Sequence, residues 1–356
     1  MTDTFSQRHV VAGSRTATSA CIGAHRRLAF IVCVTLAALI SNATIAQSYP
    51  SRPIRLLVGY PPGGPADVTA RLVAPYLSEA LRQSIVIDNR SGAGGTVAAI
   101  TLARAEADGY TIGIMANGEL AISPNLRRLS YDPVRDFAPV SRIGVNQLTL
   151  VVHPSVQAKS TAELVALAKA RPGTVNFASA GNGSTAHLAG ELFKALAAID
   201  IVHVPYKGAG PAMTDLIGGQ VHMLITGYPG AAPHIKSGKL RALGVTGAKR
   251  LTAAPDLPVI GETVKGYEVT SSYGVLLPGR APQQIVARLH REIAAVVKKA
   301  DVQEKLVALG FEPEGNSPPE YAAQIRTELA ATDGCTTRMF GTVMPSVIGA
   351  KSPIGS

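Results

Sequence analysis

Four glycine-bearing turns, each set between an apolar run and a helical pattern, hold most of the chemical potential of this chain. They are Pro61-Pro62-Gly63-Gly64-Pro65, the stretch 89–95 ending in Gly94-Gly95, Gly181-Asn182-Gly183-Ser184, and residues 206–210 around Gly208. In open α/β sheets ligands bind beyond the carboxyl ends of strands, where loops enter helices. Glycine lets the backbone approach a ligand closely. The free N–H groups of the following helix and its dipole attract an anion, by about 0.3–1 kcal/mol for the dipole alone. The chemistry implied is capture of a carboxylate, mainly by backbone groups and bridging water, because no arginine clamp stands at these turns.

The expected ligand contacts are Pro62, Gly63, Gly64, Asp67, Gly94, Asn117, Gly183, Ser184, Thr185, His187, Tyr206 and Gly208. Several have a plainer role open to them. Gly63-Gly64 reads as a tight turn, Asp67 as a helix cap, and Ser184 and Thr185 as caps. His187 reads as a packing residue or, protonated beside a carboxylate, as a group that strengthens binding below about pH 6.5. Tyr206 and Gly208 follow the apolar run 201–204 and would face the cleft from its second side, while Lys207 points to solvent.

Catalysis finds little support. A hydrolase would pair Ser184 or Ser179 with His187 or His203, yet neither serine has the flanking glycines of a nucleophile elbow. Residues 92–95 lack the Lys-Ser/Thr ending of a phosphate loop, and no metal-ligand spacing of histidine and carboxylate is visible. No enzyme activity, cofactor or metal is expected.

These turns need a scaffold, and the pattern supplies one. Strands are predicted at 54–58, 85–87 and 111–115, with helices at 67–82 and 96–107, an alternation that implies right-handed crossovers and parallel pairing. A loop-rich span at 117–138 leads to the apolar run 148–152. A second series starts at Ser160, a helix cap before Glu163, with helices at 160–170, 186–197 and 212–217 and strands at 175–178, 201–204, 222–225 and 240–245. Another extended run, 269–277, precedes helices at 282–299 and 319–331. The fold class expected from the pattern is α/β and two-lobed, each lobe a mainly parallel sheet with helices on both faces. Residues 47–147 and 279–332 form the first lobe and 153–267 the second, with 148–152 and 268–278 as hinge crossovers. From Asp333 to Ser356 the periodicity fails, and an irregular tail is expected.

Composition agrees with an α/β architecture: 46% hydrophobic, 16% charged, 5% aromatic and no Trp, so the core must be Ala, Val, Ile and Leu. The formal charge of +10 becomes +7, with 30 basic and 23 acidic residues, when residues 1–46 are removed. That surplus suits an anionic ligand, but its scatter along the chain does not suit nucleic acid.

Arg26-Arg27, the apolar stretch 28–40 and the small residues before Gln47 form a signal peptide, with cleavage expected after Ala46. The stretch falls short of the roughly 20 apolar residues that span a bilayer. General secretion fits better than twin-arginine export, and the mature protein is expected in the periplasm as a soluble monomer. Cys335 alone survives cleavage, so no internal disulfide can form.

Tyr49-Pro50-Ser51-Arg52-Pro53-Ile54, Pro61-Pro62-Gly63-Gly64 with Asp67, Asn89-Arg90-Ser91-Gly92-Ala93-Gly94-Gly95, Ala107-Asp108-Gly109-Tyr110-Thr111, Pro205-Tyr206-Lys207-Gly208 and Gly181-Asn182-Gly183-Ser184 with His187 stand in this order. Together they resemble the Bug family, the extracytoplasmic binding components of tripartite tricarboxylate transporters, across residues 49–332. The resemblance implies a two-lobed, Venus-flytrap periplasmic-binding fold that closes on a small organic acid and delivers it to membrane transporter subunits. A sensor partner that presents ligand to a receptor would use the same cleft. The resemblance also shows departures: the family often carries an acidic residue where His222 stands and another near Thr226, and the absence of the second disfavours ammonium-bearing ligands.

Overall fold

The computed structural model describes residues 49–340, with side chains to Asp333. The signal peptide expected at 1–46 and the end of the chain beyond Phe340 lie outside the described residues. The chain runs through β1 (Ile54–Val58), α1 (Pro65–Leu81), β2 (Ile85–Asn89), α2 (Thr96–Ala103), β3 (Thr111–Ala116), α3 (Ser123–Leu126) and the long β4 (Phe137–Val152). It continues with α4 (Thr161–Ala170), β5 (Asn176–Ser179), α5 (Thr185–Ala197), β6 (Val202–Pro205), α6 (Ala209–Ile217), β7 (Met223–Gly227), α7 (Tyr228–Lys236) and β8 (Arg241–Val245). The last elements are α8 (Ile260–Thr263), β9 (Thr270–Pro278), α9 (Gln283–Val297), α10 (Ala300–Ala308), β10 (Phe311–Pro313) and α11 (Pro318–Phe340).

The strand order is β2-β1-β3-β9-β4-β7-β5-β6, with β8 and β10 also paired to β4. β1 is parallel to β2 and β3, and β5 is parallel to β6 and β7. β9 is antiparallel to β3 and to β4, and β4 is antiparallel to β7 and β8. Each lobe therefore joins a parallel set to antiparallel strands at the centre. The reason is topological: one strand leaves the first lobe and another returns, so the two run in opposite directions. β4 exchanges its partner β9 for β7 between Gln147 and Leu148.

Helices cover both faces of both sheets. In the first lobe Leu56, Val58, Ile112 and Ile114 pack against α1 and α9, while Leu57, Met115 and Leu276 pack against α2 and α11. In the second, Leu150, Phe177 and Ile225 meet α4 and α5, while Val151, Ala178 and Leu224 meet α6 and α7. Each fully buried Val, Leu, Ile, Phe or Met side chain among these contributes about 1.5–3 kcal/mol. Ser160 caps α4 as expected, accepting from the Glu163 N–H at 3.2 Å.

Several spans depart from expectation. The loop-rich stretch contains a helical turn at Gly118–Ile122 running into α3. The final helix, expected to end near Ala331, continues to Phe340 and so occupies the start of the supposed irregular tail. Arg142 on β4 fastens it, meeting Glu314 at 2.6 Å and Glu328 of α11 at 2.7 Å, and the Asn125 amide donates to the Leu329 carbonyl at 2.7 Å.

Candidate ligand cleft

The first-lobe turn follows β1 and enters α1 with Gly64 as N-cap and Pro65 in the first turn. Asp67 holds it in shape. One carboxylate oxygen accepts from the Gly63 N–H at 2.9 Å and Arg71 Nε at 2.8 Å, and the other from Asn89 Nδ2 at 3.0 Å. Burial opposes ionisation of Asp67, but these bonds outweigh it and hold the carboxyl below its ordinary value. Asp67 thus organises the turn from behind.

The second-lobe turn is held differently. Ser184 Oγ accepts from the His187 N–H at 3.2 Å, capping α5, and His187 Nδ1 accepts from the Gly183 N–H at 3.2 Å. The His187 ring stacks on His203 with centroids 4.2 Å apart. Burial pushes His187 down to about 4, and burial with the neighbouring His187 pushes His203 down to about 3. Both imidazoles are therefore neutral at physiological pH, and the added charge expected from His187 near pH 6.5 does not arise. Ser179 and His203 do meet, Oγ to Nε2 at 2.7 Å, but Ser179 is fully buried and its hydroxyl accepts from the Gly181 N–H at 3.1 Å. The pair fastens a turn.

Turns of the two lobes touch each other. A methyl added to Gly94 would stand 2.5 Å from the Asn182 carbonyl oxygen, and one on Gly208 would stand 2.5 Å from the Pro61 ring. Thr185 Oγ1 donates to Asn117 Oδ1 at 2.8 Å, and Asn117 Nδ2 donates to the Thr270 carbonyl at 3.0 Å. Ser123 Oγ donates to the Gly183 carbonyl at 3.3 Å. At Gly94 and Gly208, glycine allows the lobes to approach one another. The Tyr206 hydroxyl turns to Asp215 on α6, donating at 2.7 Å.

Between the lobes lies a cavity, partly open to solvent, bordered by residues 64–66 of α1 and its cap and by residues 184–186 of α5 and its cap. Tyr60, Thr226, Ser271 and Tyr273 complete its polar lining. Of the expected contacts, Gly64, Ser184 and Thr185 border this cavity, and Gly63 borders an adjoining one. Pro62, Asp67, Gly94, Asn117, Gly183, His187, Tyr206 and Gly208 border neither; they shape turns or join the lobes. Sequence reasoning missed Tyr60, Ser271 and Tyr273. The last two share one face of β9 by the period of two, a signal that was present in the extended run but lacked a face assignment.

Among the described residues no Lys, Arg, His, Asp or Glu borders either cavity. An anion here would be held by hydroxyls, by backbone N–H groups and by the dipoles of α1 and α5, whose N-terminal turns both border the first cavity. Burial pushes the Tyr273 hydroxyl up to about 12, so it remains a neutral donor. Beneath the first-lobe turns sits Glu119, wholly buried, with Oε2 accepting from the Ala116 N–H at 3.1 Å and Oε1 without a partner. Burial pushes its carboxyl up to about 8 although backbone bonds oppose this, so it is largely protonated at neutral pH.

Known proteins of the same kind are readily found. Protein BugT of Bordetella pertussis is 38% identical over 309 residues, 85% of this chain and 94% of that protein. An R. palustris structure with adipate is 38% identical with a TM-score of 0.80, covering 82% of this chain and 98% of its own. MatC from Rhodopseudomonas palustris with bound malate is 29% identical with a TM-score of 0.76, covering 81% and 99%. Residues 69–335 match the family described as tripartite tricarboxylate transporter family receptor. With its two-lobed sheets and paired helix N-termini facing one cavity, the chain belongs to the tripartite tricarboxylate transporter receptor family, of the Bug type.

Proposed function

We propose that this protein is a periplasmic solute-binding receptor that captures a small organic acid anion and delivers it to membrane subunits of a tripartite tricarboxylate transporter. One observation carries the reading: the first turns of α1 and α5, from opposite lobes, border the same cavity, which no charged side chain among the described residues lines. A carboxylate is the common ligand chemistry for such paired N-termini. Relatives solved with adipate and with malate support the choice.

The lobes, 47–147 with 279–332 and 153–267, rotate about the crossovers 148–152 and 268–278. Ligand gains contacts from both sides only in the closed form, so it shifts the population toward closure. The signal peptide is removed near Ala46, and the mature chain works as a monomer without catalysis. Calorimetric titration with a panel of organic acids should give one-to-one binding, and X-ray scattering should show a smaller radius of gyration on saturation. Tight binding with an unchanged scattering curve would refute closure, and failure of every acid to bind would refute the carboxylate.

A further inference from the structure

The cleft has a second chamber, which shares Pro65, Ala209, Thr226 and Gly227 with the first. Its wall is largely apolar, with Val68, Met213, Leu309 and Phe311. One polar side chain stands out. Asn146 on β4 borders this chamber at 1% exposure, and neither its Nδ2 nor its Oδ1 has a hydrogen-bond partner. A methyl on Gly227, where the two chambers adjoin, would lie 3.6 Å from Nδ2.

A buried amide with both ends unpaired is expensive to keep, since each unmade bond carries its full desolvation cost. A ligand that supplied one acceptor and one donor side by side would satisfy both ends. Ala209 and Gly210 in the first turn of α6 and Gly230 in the first turn of α7 also line the chamber, and the first N–H groups of a helix have no partner within it, which favours an acceptor oxygen nearby. A second carboxylate would take Nδ2 but would set its negative oxygens against Oδ1, with no cation lining either chamber to offset the repulsion. A carboxamide satisfies the helix N–H groups, Nδ2 and Oδ1 together. Ammonium is disfavoured too, because no acidic side chain lines the chamber.

Resting on the carboxylate reading above, we propose that the second chamber is a specificity subsite for an uncharged carboxamide-like group, borne on a short apolar stem whose other end is the carboxylate. The preferred ligand class is the half-amide of a dicarboxylic acid. Asn146 reads the far end, and Val68, Met213, Leu309 and Phe311 take the methylenes.

The test is calorimetric titration of the mature protein with succinamate, glutaramate and adipamate against succinate, glutarate and adipate. At least one half-amide should bind roughly tenfold or more tighter than its dicarboxylate, a difference of about 1.4 kcal/mol. Asn146→Leu should remove that preference and raise the melting temperature of the ligand-free protein by removing an unsatisfied amide. Gly210→Ala is a second variant: its methyl meets nothing within 4 Å, so the fold stands while the chamber narrows and half-amide affinity falls. A wild-type preference for dicarboxylates that Asn146→Leu leaves untouched overturns the subsite while the carboxylate reading survives. Failure of all six acids overturns both.

Discussion

Both lobes rest their binding turns on a buried titratable group kept neutral, but they choose opposite chemistries. In the first lobe the group is Glu119, an acid pushed up to about 8; in the second it is His187 with His203, bases pushed down to about 4 and about 3. The cause is the same in each case, burial that penalises the charged form. Each group also accepts a backbone N–H, from Ala116 at the end of β3 for Glu119 and from the turn residue Gly183 for His187. The difference matters for pH. Neutrality costs the acid stability on the alkaline side and costs the base stability on the acid side, so the two lobes should weaken in opposite directions.

Glu119→Gln breaks the comparison where the effect is largest. The folded carboxyl titrates near 8 against an ordinary 4.5, so its contribution is complete below about 4.5 and is lost as pH rises toward 8. At about 1.4 kcal/mol for each tenfold change in proton activity, the loss is on the order of 4 kcal/mol. Urea unfolding at pH 5 and pH 8 should show the variant gaining on the wild type at pH 8. Equal pH dependence in the two proteins would show that Glu119 ionises normally.

His187→Asn sharpens the other half, since Asn keeps an acceptor for the Gly183 N–H but cannot titrate. The depressed value near 4 means the unfolded chain takes up the proton first, so stability is complete above about 6.5 and falls as pH drops toward 4. The variant should lose less between pH 6.5 and pH 4, by on the order of 3 kcal/mol if His203 is unchanged. A wild-type acid slope retained in the variant would place the effect elsewhere.

Much of the scaffold was legible, because apolar runs ended by Gly or Pro mark β1 to β3 and the parallel strands of the second lobe. What escaped notice was polar and buried. The first part of β4 carries Arg142, Asn146 and Gln147, which a hydrophobic pattern reads as loop although Arg142 is buried against Glu314 and Glu328. Glu119 was hidden for the same reason, and α7 was masked by Pro229, Gly230 and Pro233. The four turns were found, yet sequence holds no distances. It could not tell that Gly94 and Gly208 face the opposite lobe, or that Asp67 and His187 stand behind the turns they support.

Gly94→Ala tests the seam where the two lobes meet. Gly94 has φ +64°, and its added methyl would sit 2.5 Å from the Asn182 carbonyl oxygen and 3.1 Å from the Ser184 nitrogen, both backbone atoms with little freedom to yield. The left-handed backbone costs alanine about 1–2 kcal/mol within the first lobe whether the cleft is open or shut. The clash with Asn182 arises only when the lobes meet, so it should appear as a loss of ligand affinity of at least roughly tenfold, about 1.4 kcal/mol. Thermal melting without ligand separates the two contributions, because only the first lowers the ligand-free melting temperature. Wild-type affinity in a folded Gly94→Ala protein would mean that this contact can part without cost, and that closure is governed by the Thr185–Asn117 bond and the cavity itself.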